Sequence, residues 1–399
     1  MAFFFLCLFT FVMFFQPVGV FPELEPIRPY RYSALLALAT FLFWGKKSEI
    51  PLLSIPNARF FFLFVAWQVI SSASIWLHGA LDTFTNIWLN LLIIYIIIVK
   101  SCTDEKKVKY VILMVVAGIS YLSFKSISDL MLNYQPGLRP MGFGWYENSN
   151  DLVFILACAI PFALCLGELS KSILMRYFFI AVASLFVLNI LLSASRNGLL
   201  GLMVVGCLSL IFMKKLSRFF RYAILGLLIT CVLTFGISTV MTRSDLVPGQ
   251  LTGDASSEGR LEQWRACLRM VKDHPFLGVG PGEAIYKMRE YHGIPGLVPH
   301  NTLVQAFAET GIPGGIFFVL CTIFPLWEAW KFFISNRDKM AMPSIILYKY
   351  LVISLAGFWA CAFFSNRVYF KILYVLIALI VAVRQNILKP QNILEQNVN

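Results

Sequence analysis

His300 is the residue of this chain best placed to do acid–base chemistry. It follows a loop rich in proline and glycine at 291–299, precedes Asn301, and leads into an apolar run that ends at Gly311 and Gly314. An imidazole can take up the proton of a hydroxyl group near neutral pH. His300 is therefore a candidate general base.

Several arginines fall in the short polar segments between apolar runs. Arg196 lies in a four-residue hairpin, Arg139 in a small loop, and Arg367 at the end of a late run. Guanidinium groups bind phosphate through paired hydrogen bonds, and a diphosphate needs two or more of them. A surface arginine bound to lipid head groups is the simpler explanation for any single position. Their concentration on one side nevertheless predicts a diphosphate site.

The acidic residues of the same segments predict no metal site. They are scattered, with no aspartate pair of the kind that holds a divalent cation beside a diphosphate. Arginines are therefore predicted to stabilise the developing negative charge, and no cofactor is expected. The sequence also contains no phosphate-binding P-loop and no dinucleotide fingerprint, so a nucleotide substrate or a nucleotide-driven pump is not expected either.

The elements that position these residues are predicted to be membrane helices. Of the 399 residues, 59% are hydrophobic and 14% are charged, whereas about 25% of residues are charged in soluble proteins. This composition excludes a soluble domain, a disordered chain and a disulfide-linked secreted scaffold, and it predicts an all-α polytopic membrane protein. At about 20 residues for each span, twelve runs are predicted to cross the membrane: 2–20, 32–45, 58–78, 82–99, 108–126, 152–168, 175–194, 199–213, 222–241, 311–332, 344–365 and 368–384.

The distribution of basic residues predicts the orientation. If the N-terminus is cytoplasmic and the spans alternate, the whole net charge of +12 falls on the cytoplasmic loops, as the positive-inside rule requires. Both termini are therefore predicted to be cytoplasmic, and the basic excess does not indicate nucleic-acid binding. The predicted divisions are a nine-helix transmembrane region at 1–241, a large outer loop with short helices at 242–310, and three helices with a cytoplasmic tail at 311–399.

Within the large outer loop, residues 259–275 are predicted to form an amphipathic helix. Leu261, Trp264, Leu268 and Val271 recur at helical spacing. Basic residues project from another side of the helix. It is expected to lie on the outer membrane surface, with the basic face either solvated or turned toward anionic lipid head groups.

These residues resemble a known family, the O-antigen ligase and O-antigen polymerase superfamily. His300, Asn301, Gly311 and Gly314 fit the family pattern H-[NSQ]-x9-G-x-x-G. The resemblance extends from about residue 139 to 315, and the first 130 residues are similar only in hydropathy. The other segments similar to the family are 142–151, 195–198, 259–264 and 274–282.

The resemblance implies about twelve helices in the bacterial inner membrane, with one large periplasmic loop. It implies a metal-independent, inverting transfer of a glycan from undecaprenyl diphosphate. His300 would be the general base, and Arg196 and Arg260 would bind the diphosphate. The motif leaves open which further arginine completes the site: Arg139, Arg265 or Arg367.

Two activities share this fold and motif. An O-antigen ligase moves the finished glycan to the lipid A–core oligosaccharide, whereas an O-antigen or exopolysaccharide polymerase joins repeat units on the lipid carrier. The modest loop at 128–151 favours the ligase, which is expected to have a single large loop. A glycan ligase acting on protein is a third possibility. A lipid-linked glycan transporter is less expected, because the centres of the spans are almost free of charge.

Overall fold

The computed structural model describes residues 1–45, 47–133, 135, 138–212, 226, 257–336, 340 and 342–389. The fold of this part of the chain is helical, and it contains no strand. Its α-helices are α1 (Ala2–Phe15), α2 (Pro17–Val20), α3 (Pro29–Trp44), α4 (Pro56–Ile75), α5 (Leu77–Thr83), α6 (Leu89–Ser101), α7 (Glu105–Leu132), α8 (Ser149–Glu168), α9 (Ile173–Ser193), α10 (Arg196–Phe212), α11 (Ser257–Asp273), α12 (Ala284–His292), α13 (Thr302–Thr322), α14 (Phe324–Ser335), α15 (Pro343–Ala362) and α16 (Lys371–Ala382).

The protein is a multi-pass membrane protein. Within the described residues, 8 helical segments are long and apolar enough to cross a membrane. The shorter apolar helices α1 and α10 accompany them, and the predicted span at 32–45 is the 16-residue helix α3. The predicted span at 222–241 lies outside the described residues except for Gly226. Twelve spans and the orientation therefore stay predictions. The 8 segments are Pro56–Ile75, His78–Ser101, Glu105–Leu132, Ser149–Glu168, Ile173–Ser193, Thr302–Ser335, Pro343–Ala362 and Lys371–Leu388.

Helix α8 forms the centre of the bundle and is buried over most of its length. It packs against α7, α9, α10 and α15. Small residues allow the close approach: a Cβ added at Gly198 would lie 2.9 Å from Val153, and one at Gly201 would lie 3.2 Å from Ala157. Helices in a membrane gain most of their association energy from such close packing. The entry of α10 is therefore held firmly against α8.

Polar contacts mark the two ends of the bundle. At one end Lys349 pairs with Glu168 at 3.0 Å, and Ser48 donates a hydrogen bond to Asn386 at 2.9 Å. At the other end the chain brings together the beginnings of α8, α10 and α13 with residues 363–370, which join α15 to α16. This second end, called here the site end, carries the outer-loop helices α11 and α12.

The outer loop has a small apolar core of its own. Residues from α11 and α12 and from the turns around them pack together against one side of α13. This packing fixes the loop on the bundle beside the site end. The buried members of this core are Ala266, Cys267, Met270, Val279, Ala284, Met288, Leu297 and Ala308.

Candidate functional site

His300 stands two residues before α13 in a strained and well-held backbone. Its φ of 47° is left-handed, a conformation that costs a non-glycine residue about 1–2 kcal/mol. On one side Trp264 donates its indole N–H to the carbonyl of Pro299 at 2.8 Å. On the other side Asn301 caps α13, and its side-chain oxygen accepts two backbone N–H groups at 3.0 Å each. Such local strain is often found at functional residues.

Thr302, the first residue of α13, joins the histidine loop to residues 363–370. Its hydroxyl donates to the carbonyl of Ser365 at 2.6 Å and accepts the backbone N–H of Arg367 at 3.0 Å. The Thr302 side chain is fully buried. The position of His300 is therefore tied to the 363–370 segment through two hydrogen bonds.

Arg196 reaches the same segment from another helix. It is the exposed first residue of α10. The next residue, Asn197, donates its side-chain amide to the carbonyl of Phe364 at 3.0 Å. Because Phe364 and Ser365 are adjacent, α10 and α13 begin at the same short stretch of backbone. The structure thus brings Arg196 and His300, far apart in sequence, to neighbouring helix N-termini.

The beginning of α8 completes this arrangement. The side-chain oxygen of Asn150 accepts hydrogen bonds from the hydroxyl of Ser195 at 2.9 Å and from Arg139 at 3.4 Å. Arg139 also donates to the carbonyl of Ser193 at 2.6 Å. Arg139 therefore lies beside the beginnings of α8 and α10, where it binds the hairpin that directly precedes α10.

Arg367 links α8 to the 363–370 segment. It pairs with Asp151 in the first turn of α8, and its guanidinium lies 5.7 Å from the ring centre of Phe154 and 5.3 Å from that of Phe370. Burial lowers the pKa of Arg367, and the Asp151 carboxylate opposes that shift. An arginine stays charged in such surroundings. The pair keeps a buried positive charge balanced beside the site.

Three helix N-termini therefore surround residues 363–370. The free N–H groups of a helix start carry the equivalent of about half a positive charge. This end of the bundle therefore has a positive field, which comes from the N-termini of α8, α10 and α13 and from the exposed guanidinium of Arg196. Arg367 adds little to it, because Asp151 neutralises its charge. Phosphate oxygens are stabilised in such a place.

The helix predicted at 259–275 is present as α11, and it also packs in the core of the loop. The expected apolar stripe included Leu261 and Leu268, but these side chains are 49% and 58% exposed. The buried side is formed by Ala266, Cys267 and Met270, which pack in the core of the loop itself. Leu261 and Leu268 are thus not covered by the protein, and the interfacial position expected for this helix stays a prediction.

Helix α11 also separates two of the predicted arginines. Trp264 contacts the ring of Phe363 at 5.8 Å, in addition to its bond to the loop before His300. Arg260 lies one turn earlier, and residues four apart share a helix face. Arg260 is half-buried on that side, whereas Arg265 lies on the exposed face. The structure thus places Arg260 toward the histidine loop and Arg265 away from it.

Gly311 introduces a kink into α13. Its φ of 69° and ψ of −172° lie in a region that only glycine occupies readily. A Cβ there would lie 2.3 Å from the carbonyl oxygen of Phe276. Three backbone hydrogen bonds pair the kink with the segment 275–280: Ile312 N to Pro275 O at 2.8 Å, Val279 N to Ala308 O at 2.9 Å, and Gly280 N to Glu309 O at 2.9 Å.

Two side chains of helix α4 donate hydrogen bonds to carbonyl groups at the kink of α13 and in the segment paired with it. Trp67 donates its indole N–H to the carbonyl of Thr310 at 2.9 Å, and Ser71 donates to that of Leu277 at 2.6 Å. A Cβ at Gly314 would lie 2.7 Å from the Trp67 ring. Gly314 therefore lets the two helices approach closely enough for the indole to reach the carbonyl opened by the kink.

Glu309 is a site-end residue that sequence reasoning missed. Its side chain is 2% exposed, and its carboxylate accepts hydrogen bonds from Gln305 at 2.9 Å, from the Tyr369 hydroxyl and from the Gly282 N–H. Burial and the neighbouring carboxylate raise the pKa of Tyr369 well above its usual value, so Tyr369 stays a donor. A carboxyl group inside an apolar run was the available signal.

The described part of the chain contains no group of three or more His, Cys, Asp or Glu side chains that could hold a metal ion. The polar groups that surround residues 363–370 include amides, hydroxyls and guanidinium groups, which can donate hydrogen bonds to an anion. The two carboxylates beside this segment, Asp151 and Glu309, are bonded to Arg367 and Tyr369.

A comparison with protein families matches residues 152–319 to the Wzy_C family, described as O-antigen ligase. This part of the chain is similar to the O-antigen ligase superfamily. The matched range begins in the first turns of α8 and ends inside α13, so it includes Arg196, Arg260 and the histidine motif. No curated protein matches the chain.

The spacing of the residues in the histidine motif has a physical basis. Asn301 caps α13, Gly311 forms the kink that receives the segment after α11, and Gly314 admits Trp67. These three residues position the histidine loop and need not touch a substrate.

Proposed function

We propose that this protein is an O-antigen ligase. It transfers a glycan from undecaprenyl diphosphate to the lipid A–core oligosaccharide at the periplasmic face of the inner membrane. The main support is that His300 and Arg196 lie at neighbouring helix N-termini. The residues that follow in each helix, Thr302 and Asn197, donate hydrogen bonds to the adjacent carbonyls of Ser365 and Phe364. The ligase description of the matching family supports the same choice.

In the proposed reaction an acceptor hydroxyl attacks the anomeric carbon of the donor sugar. His300 takes the hydroxyl proton as the new C–O bond forms, because an alcohol is too weak an acid to lose its proton unaided. The bond between the anomeric carbon and the phosphate oxygen breaks on the opposite side, and its electron pair leaves with undecaprenyl diphosphate. The new linkage therefore has the inverted configuration, and no nucleotide or cofactor takes part.

The leaving diphosphate gains negative charge as the bond breaks. Arg196 and Arg260 are proposed to bind it, and the N-termini of α10 and α13 add a positive field. Arg139 positions Arg196 indirectly, because it donates a hydrogen bond to the carbonyl of Ser193 in the hairpin before α10. Arg265, on the exposed face of α11, would meet the donor only at the outer edge of the site.

The experiment that tests this proposal compares His300→Ala with His274→Ala, which changes an exposed histidine directly after α11. Both variants are expressed in a strain that lacks the gene, and their amounts in the membrane are measured first. His300→Ala should lower glycan transfer by about 10²–10⁴-fold, the usual contribution of a general base. Arg196→Ala should lower it by about 10²–10³-fold. His274→Ala should transfer at the normal rate.

The lipopolysaccharide ladder and the lipid-linked glycan are assayed in parallel. Loss of long chains from the core, with the same chains accumulating on the carrier, is the result expected for a ligase. A core bearing a single repeat unit would instead identify a polymerase. Normal transfer by purified His300→Ala protein would contradict the assignment of the base.

A further inference from the structure

An open cleft lies at the site end, beside the residues already described. It is bounded by the end of α1, by the 3-10 helix Pro22–Ile27 and by the turn Gly144–Tyr146. Its volume is about 860 Å³, which falls within the range of about 300–1,000 Å³ found for small-molecule sites. Trp145 and Tyr30 form an aromatic wall, and Glu25 and Glu147 contribute exposed carboxylates to the cleft lining.

The floor of the cleft is built from two backbone segments in close contact. Gly144 has a φ of +59°, and a Cβ there would lie 2.7 Å from the side-chain oxygen of Gln16. That same oxygen accepts the backbone N–H of Trp145 at 3.4 Å, while the Gln16 amide donates to the carbonyl of Met13 at 2.6 Å. A Cβ at Gly19 would lie 2.8 Å from the Gly144 nitrogen. The shape of the cleft is therefore fixed by specific contacts.

The cleft adjoins the candidate catalytic region. The ring of Tyr146 packs on that of Phe370 at 5.7 Å. The ammonium group of Lys371 lies over the rings of Trp145 and Tyr30, 4.6 Å from the centre of the latter. Glu147 directly precedes the residue that caps α8. One wall of the cleft is thus continuous with the segment that holds the starts of α8 and α13.

The chemistry of the lining indicates the ligand class. The carboxylates of Glu25 and Glu147 accept hydrogen bonds from hydroxyl groups, and the guanidinium of Arg28, which also lines the cleft, donates them. The indole of Trp145, 42% exposed, offers an apolar surface with a polar edge. Sugar rings present C–H faces together with hydroxyl groups that both donate and accept hydrogen bonds, so they match this mixed lining of aromatic, acidic and basic groups better than an acyl chain does.

We propose that this cleft binds an oligosaccharide segment of a glycan substrate, away from the bond that is formed. The inference rests on the proposed glycan transfer. The segment could come from the donor glycan or from the acceptor, since both present the same chemistry. Kinetic measurements separate these two sources.

The first experiment measures binding directly. The full-length protein in lipid nanodiscs is titrated calorimetrically with the soluble oligosaccharide released by mild acid from the surface polysaccharide of the producing strain. Trp145→Ala should weaken binding about tenfold, and Glu147→Gln about threefold, because each removes one part of the lining. The controls are Phe21→Ala and Glu23→Gln, which change exposed residues of the same segment that lie outside the cleft. They should bind within twofold of the wild type. Unchanged affinity in both cleft variants would overturn the inference.

The second experiment measures transfer with donor and acceptor varied in turn. The cleft variants should raise the KM of whichever substrate occupies the cleft at least fivefold and leave kcat within twofold. Glu147→Gln replaces an exposed side chain, so it keeps the test valid if Trp145→Ala folds poorly. Transfer with both KM values unchanged would overturn the cleft assignment and leave the ligase proposal standing. Oligosaccharide binding in the cleft without any glycan transfer would support the cleft assignment and contradict the ligase proposal.

Discussion

Thr302→Val tests whether the contact between α13 and residues 363–370 positions the catalytic histidine. Valine has nearly the shape of threonine, so the change removes the two hydrogen bonds of the hydroxyl, at 2.6 and 3.0 Å, without opening a cavity. Each is worth about 0.5–1.5 kcal/mol, so the free energy of unfolding should fall by about 1–3 kcal/mol. The Ser365 carbonyl and the Arg367 N–H lose their partner, and the segment should shift relative to α13. A displacement of 1 Å can cost about 100-fold in rate, so we expect kcat to fall by about 10–100-fold.

The matched control is Thr322→Val at the other end of the same helix. Thr322 is also fully buried, but its hydroxyl donates only within the helix, to the carbonyl of Phe318 at 2.6 Å. This variant should keep its kcat within about twofold, since an intrahelical bond of this kind contributes little. Unfolding midpoints in detergent and transfer to a fluorescent acceptor are measured for both proteins. If the two variants lost activity equally, the positioning role of Thr302 would be refuted.

Two further predictions concern the residues that hold the histidine loop. Gly311→Ala should destabilise the protein by more than the about 1–3 kcal/mol expected for backbone strain alone, because its Cβ would lie 2.3 Å from a carbonyl oxygen. The control Gly293→Ala, with φ 86° and open space around it, should show only the cost of the strain. Equal unfolding midpoints for the two variants would contradict this prediction. Trp264→Phe keeps an aromatic ring beside Phe363 but removes the 2.8 Å hydrogen bond from the indole N–H to the Pro299 carbonyl. The kcat should therefore fall several-fold, while the KM of the donor stays constant. An unchanged kcat in single-turnover assays would argue against a role for this hydrogen bond.

Much of the fold could be predicted from hydropathy, because a run of apolar residues long enough to cross a membrane must satisfy its backbone internally as a helix. Helices α4, α7, α8 and α9 lie where the runs placed them. The face that α11 buries could not be predicted in the same way. Its leucines would suit a membrane surface, but only the folded loop shows that Ala266 and Cys267 are the residues that pack.

Candidate site residues could be proposed from the sequence where residue type and local sequence carried the signal. His300 stood out in its loop, and the hairpin around Arg196 left that arginine little freedom. The contacts that bring them together join segments far apart in the chain, such as Asn150 with Ser195 and Thr302 with Ser365. No local sequence pattern predicts such pairs, because each partner by itself is typical of an ordinary helix cap or turn.

The pairing of segment 275–280 with the kink in α13 also constrains how substrates enter and products leave. Lifting the outer loop as a unit would break at least the three backbone bonds of the kink and the bond from Ser71 to Leu277. Four bonds of about 0.5–1.5 kcal/mol each would make the lifted state rarer than about one molecule in thirty. The exposed turn 293–296 is less constrained, because Gly293 and Gly296 have positive φ and open space around them. Exchange of glycans is therefore expected to proceed by bending of this turn while the base of the loop stays in place.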